Sequence, residues 1–154
     1  MKKILLSGLL LINLSLFSQV NNEKEFVEFG TSSPKDQQAK MMQSGWQATQ
    51  PKTWTEDGTI NEQHEYGKKI NGVPFMLRIL YKTDKDFNQM KSTKVIFTDV
   101  TTYNSWVANL KKQGYIFKEY EKGSFVAKEE DYAVYYGKKS TKILTIYEFE
   151  VISF

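Results

Sequence analysis

Few residues in this chain can carry chemistry, and their spacing narrows the choice of reaction. There is one histidine and no cysteine among 154 residues. Without a thiol there is no cysteine nucleophile, no thiolate metal site and no disulfide. The histidine, His64, lies at period two between Glu62 and Tyr66. On a strand those three side chains share one face. His64 beside Glu62 could serve as a general base or as half of a weak metal site. One histidine and one carboxylate fall short of the three protein ligands that a catalytic zinc keeps. No Gly-x-Ser-x-Gly elbow supplies a serine nucleophile. We expect His64 to be an ordinary, half-exposed strand histidine, and we assign no catalytic residue, metal or cofactor.

The acidic residues give no firmer lead. Asp84-Lys85-Asp86-Phe87-Asn88 begins like a calcium loop, with oxygens at positions 1, 3 and 5. The pattern then breaks, with Gln89 where glycine belongs and Val95 where the bidentate glutamate belongs. Glu148 and Glu150 lie two apart on one strand face, and Glu129, Glu130 and Asp131 cluster where a hairpin tip is expected. Neither arrangement places two carboxylates across a cleft, as glycoside hydrolysis needs. Lys122-Gly123 and Tyr-Gly-Lys-Lys lack the spacing of a phosphate loop.

Aromatic residues are the remaining candidates, at 14 percent of the chain. Tyr132, Tyr135 and Tyr136 fall close together, and Tyr66, Tyr120 and Trp54 are expected in neighbouring strands or loops. Tyrosine and tryptophan combine contact area with a polar handle, so they often dominate interfaces. They are also favoured strand formers. These six residues are the candidate binding surface, taken as an open sheet face.

The elements that must position them begin with an export signal. Lys2 and Lys3 precede an uncharged, Leu- and Ile-rich stretch from Ile4 to Phe17. Ser18 is a small residue just before an abruptly polar boundary at Gln19. This is the build of a cleavable signal peptide over residues 1–18. The stretch is shorter than the roughly 20 apolar residues of a membrane span. A lipid anchor would need a cysteine at the cut. The expected mature protein, residues 19–154, is one domain in length. Removing Lys2 and Lys3 takes the basic side chains from 21 to 19, against 18 acidic ones. No basic field remains to attract nucleic acid. Release into the periplasm or the medium follows as the expected location.

Within that domain the chain reads as a tandem repeat. Tyr66-Gly67-Lys68-Lys69 recurs 70 residues later as Tyr136-Gly137-Lys138-Lys139. Gln43-Ser44-Gly45-Trp46 matches Lys112-Gln113-Gly114-Tyr115, and Phe26-Val27-Glu28-Phe29 matches Val95-Ile96-Phe97-Thr98, both at an offset of 69. Ser33-Pro34 starts a helix and Gly45 stops it. Thr102 occupies the equivalent cap of a second helix, whose apolar stripe is Tyr103, Trp106, Val107 and Leu110 and whose stop is Gly114. Phe75, Leu77, Ile79 and Tyr81 alternate as one strand face, as do Ile143, Thr145, Tyr147, Phe149 and Val151. Asp57-Gly58, Asn71-Gly72 and Lys122-Gly123 mark hairpins. Residues 83–92 read as the linker.

The expectation is an α+β domain built from two repeats, residues 24–82 and 93–154. Each would run strand, helix, antiparallel strands. A pseudo-twofold would join them into one sheet with two helices on one face. This element order is similar to that of the TATA-binding fold and of small protein inhibitors of β-lactamase. For function, the expectation is an exported, soluble, non-enzymatic protein that binds an unidentified envelope macromolecule. The alternative is a small hydrolase or ligand-binding protein using His64 and carboxylates.

Overall fold

The computed structural model describes residues 22–154. The expected export signal lies outside the described residues. The chain runs through α1 (Glu23–Thr31), α2 (Pro34–Gln43), β1 (Gln47–Ala48), β2 (Lys52–Glu56), β3 (Thr59–Ile70) and β4 (Val73–Thr83). It continues with β5 (Gln89–Phe97), α3 (Val100–Lys112), β6 (Lys118–Glu121), β7 (Ser124–Lys128), β8 (Tyr132–Ser140) and β9 (Thr145–Ser153). All strands join one antiparallel sheet in the order β1-β3-β4-β5-β9-β8-β7-β6, with β2 also pairing β3. Three helices pack on one face of this mixed α+β domain.

Local chemistry accounts for the element ends. Ser33 caps α2, accepting a hydrogen bond from the Asp36 amide, and Pro34 fills the first turn, where its missing N–H costs nothing. Gly45 follows with φ 69°, the left-handed stop read from the sequence. Asn22 caps α1 through the Glu25 amide. The cap of α3 is Asp99, three residues earlier than expected. Its carboxylate accepts from the Thr102 amide and is thereby held below the usual carboxylate range. Asp57-Gly58 and Asn71-Gly72 both have positive φ, as tight hairpins with right-handed strand twist require.

Alternation assembles the core. Register pairing stacks Leu77 of β4 beside Tyr66 of β3 and Val95 of β5, and Val95 beside Phe149 of β9. Phe26 and Phe29 of α1, Met41 of α2, and Trp106 and Leu110 of α3 cover that face. Gly30 brings α1 down onto β9, where an added Cβ would lie 2.6 Å from the Val151 Cβ. Among the described residues, no helix is long and apolar enough to cross a membrane.

Two sequence expectations change. Phe26–Phe29 is helical, whereas its proposed counterpart Val95–Phe97 is a strand. An apolar triplet at 26, 27 and 29 fits a helix stripe as well as a strand, and the Asn22 cap decides between them. The first half therefore opens with two helices and the second with a strand and one helix. The expected linker is also structured. Thr83 ends β4, a tight turn spans residues 84–88, and β5 begins at Gln89. β5 lies between β4 and β9, so the last strands of the two halves are not neighbours.

Candidate functional site

The six candidate aromatic residues do not form one surface. Tyr66 and Tyr136 are buried in the core on the helix-covered face. Tyr132 lies on that face too, half-buried, its hydroxyl 3.0 Å from that of Tyr115. Tyr135 lies on the open face, edge-on to Tyr120 at 5.5 Å between ring centroids. Trp54 pairs with Asn61 on the open face but at the opposite edge of the sheet. Five strand spacings separate β2 from β8, or about 24 Å at the usual ~4.8 Å per strand.

Between those edges the open face carries charges that answer one another. Arg78 pairs with Glu65 at 2.7 Å. Lys94 lies 3.0 Å from Glu150 and 3.8 Å from Glu148, and Lys139 is 3.2 Å from Glu148. Ser92 hydrogen-bonds Glu150. Three cations and three carboxylates thus neutralise one another. The turn after β4 is likewise self-satisfied. Asp84 Oδ1 accepts from the Asp86 and Asn88 amides, and its Oδ2 accepts from Asn88 Nδ2. These oxygens hold the turn, and their bonds keep the Asp84 carboxyl below its ordinary value.

A concave feature lies on the other face, where the helix layer stops short of the sheet's end. A cleft of about 630 Å³ opens between the α1–α2 junction and the ends of β3, β4 and β5. One wall is Thr31, Ser32, Ser33, Pro34 and Lys35 with Gln38. The floor includes Glu62, His64, Tyr66, Tyr81, Thr83 and Lys91, which antiparallel register brings to one face. His64 and Glu62 do act together, with Nε2 2.6 Å from Oε1. The His64 ring meets Tyr81 edge-on, centroids 5.8 Å apart.

A buried amide fixes this floor. Gln37 is fully buried beneath α2. Its Nε2 donates to the Phe29 carbonyl at 2.7 Å and to Thr93 Oγ1 at 3.1 Å. Its Oε1 accepts from the Tyr81 hydroxyl at 3.1 Å. Burial, then the nearby Tyr66 and Glu62, push Tyr81 up to about 12, so its phenol remains a neutral donor. Lys91 is only 9 percent exposed and donates to the Ser32 carbonyl. Burial lowers its pKa from the ordinary lysine value.

The wall hydroxyls are tied into the helices. Thr31 donates to the Val27 carbonyl at 3.1 Å, Ser32 to the Glu28 carbonyl at 2.6 Å, and Ser33 to Asp36 Oδ2 at 2.7 Å. His64 is engaged with Glu62, not with a hydroxyl nucleophile. Among the described residues, no three His, Asp or Glu side chains converge on a point that could hold a metal. The cleft offers donors, acceptors and aromatic edges to something bound in it.

Sequence reading reached Glu62, His64 and Tyr66 but not Lys91, Gln37 or the wall. A lysine in phase with Thr93, Val95 and Phe97 was the available signal for Lys91, obscured by treating residues 83–92 as linker. Comparison of the chain with protein-family models, curated proteins and solved structures gave no match.

Proposed function

We propose that this chain is an exported, non-enzymatic binding protein whose recognition site is the cleft beside the α1–α2 junction. The observation that carries this reading is the cleft itself, about 630 Å³ with the His64–Glu62 pair on its floor. That volume lies within the range of small-molecule sites. The floor is a paired sheet with Tyr81 locked by Gln37, so the site is pre-organised and ordering it on binding costs little. Binding is favoured over hydrolysis because the wall hydroxyls cap helices and none is aligned on His64 as a nucleophile. The charge-balanced open face gives less support to a large docking surface. Export rests on the composition of residues 1–18.

A second reading has one observation in its favour. Tyr120 stays half-exposed at the sheet edge and meets Tyr135 edge-on, a small aromatic corner suited to a macromolecular partner. We also retain the tandem duplication as a proposal. Tyr66-Gly67 and Tyr136-Gly137 each precede their half's final hairpin, with both tyrosines in the core.

The test is a thermal-melt screen of the mature protein against small polar metabolites. Stabilising compounds are then retested on His64→Ala and on Tyr120→Ala. Stabilisation lost in His64→Ala but kept in Tyr120→Ala is the expected result. The opposite pattern would transfer the site to the sheet edge.

A further inference from the structure

We infer that the cleft takes an anionic saccharide, with the ligand's carboxylate seated on Lys91. This rests on the cleft being the binding site and names its ligand class. Lys91 alternates with Thr93, Val95 and Phe97, so β5 turns its side chain toward the helix layer. An ammonium removed from water is costly unless an opposite charge meets it. Lys91 donates to a single backbone carbonyl, that of Ser32, and among the described residues no carboxylate lies within ion-pair distance of it. An ammonium has three donors, so two are left for a group in the cleft.

The wall nearest Lys91 adds positive charge, and the two carboxylates nearby are engaged by other groups. The N-terminal end of α2 forms part of the same wall, and a helix N-terminus carries partial positive charge. Lys35 stands beside it. The Asp36 carboxylate, which accepts the Ser33 hydroxyl, answers part of that field. Glu62 is the cleft's own carboxylate and is taken up by His64. One buried ammonium balances one negative charge, which matches a carboxylate better than a phosphate dianion.

The rest of the lining suits a hydroxylated body. Gln38, Gln89 and Thr83 offer paired donors and acceptors, and Tyr66 and Tyr81 offer ring edges. A bare inorganic anion would leave most of the 630 Å³ unfilled. A sugar acid uses both the charge and the hydroxyl-rich walls.

The experiment is calorimetric titration of the mature protein with glucuronate, glucose, glucose 6-phosphate and acetate. Glucuronate should bind about tenfold or more tighter than glucose, and Lys91→Met should lose at least about tenfold of that affinity. Lys35→Ala changes an exposed side chain and should weaken glucuronate a few-fold, which keeps the idea testable should Lys91→Met fold poorly. Equal binding of glucose and glucuronate would overturn the anionic ligand while leaving the cleft intact. Preference for glucose 6-phosphate, or full affinity in both lysine variants, would overturn the carboxylate seat on Lys91. Failure of all four probes, together with a metabolite screen that finds no stabilising compound, would remove the cleft reading as well.

Discussion

Replacing Gly30 with alanine separates the packing described above from simple helix preference. Alanine is favoured over glycine within a helix by roughly 1 kcal/mol. At position 30 the new Cβ would lie 2.6 Å from the Val151 Cβ and 2.9 Å from both Val151 methyls. Carbon atoms settle at about 3.5–4.0 Å. No rotation of Val151 relieves the contact with its Cβ, and the strand is held by Thr93 on one side and Val134 on the other. Helix α1 must therefore lift by roughly an ångström, carrying Phe26 and Phe29, both fully buried, out of their places. Overpacking costs about 1–3 kcal/mol, and a helix displaced as a unit belongs at the upper end. Set against the helix gain, Gly30→Ala should lose about 1–2 kcal/mol, or about 3–8 °C in Tm. Urea denaturation with an unchanged m-value measures it. Gly67→Ala, where nothing lies within 4 Å of the added carbon, is the control and should be close to neutral. The same lift would displace Thr31 and Ser32 and loosen the cleft wall. A Gly30→Ala protein as stable as the parent would refute the close approach of α1 to β9.

Other perturbations follow from individual contacts. Gln37→Leu removes the buried amide that the Thr93 and Tyr81 hydroxyls bond and leaves the Phe29 carbonyl with the Ser32 amide alone, and urea denaturation should show a loss of about 2–3 kcal/mol. Trp46→Phe deletes a buried indole N–H that has no acceptor among the described residues, so relief of that group should offset lost contact and hold the change within about 1 kcal/mol. Burial, with neighbouring charges, raises Tyr81 and Tyr103 to about 12 from the ordinary 10.0. The stability this lends is complete below pH 10 and is lost as pH rises toward 12, so phenolate absorbance should jump together with alkaline unfolding. Ionisation of Tyr81 and Tyr103 near pH 10 in the folded protein would contradict their burial. N-terminal sequencing of the protein from its native host should begin near Gln19, and a chain retaining Met1 would refute cleavage.

Alternation made the core strands legible. Phe75, Leu77 and Ile79, and Tyr147, Phe149 and Val151, face inward as their period-two pattern requires, and Ser33, Pro34 and Gly45 bound α2 as their chemistry dictates. The first helix was hidden because Phe26, Val27 and Phe29 satisfy either period, and a four-residue match to a strand pointed the wrong way. Half of the cleft floor was visible in Glu62, His64 and Tyr66. The remainder depends on where β5 lies. Insertion of β5 between β4 and β9 sets Lys91 beside Tyr81 and beneath Ser32, an adjacency 59 residues apart in the chain. Local pattern does not encode such pairing, and it is the same reason that Tyr66 and Tyr136, read as surface residues, are core residues.

The most direct measurement is an amide chemical-shift map of the isotopically labelled mature protein, titrated with a stabilising metabolite. A ligand in the cleft should move the amides of Thr31–Ser33, Lys35, Glu62–Tyr66 and Tyr81–Thr83 together, saturating with one affinity. Shifts confined to Tyr120, Tyr135 and their strand neighbours would contradict the cleft as the site of recognition.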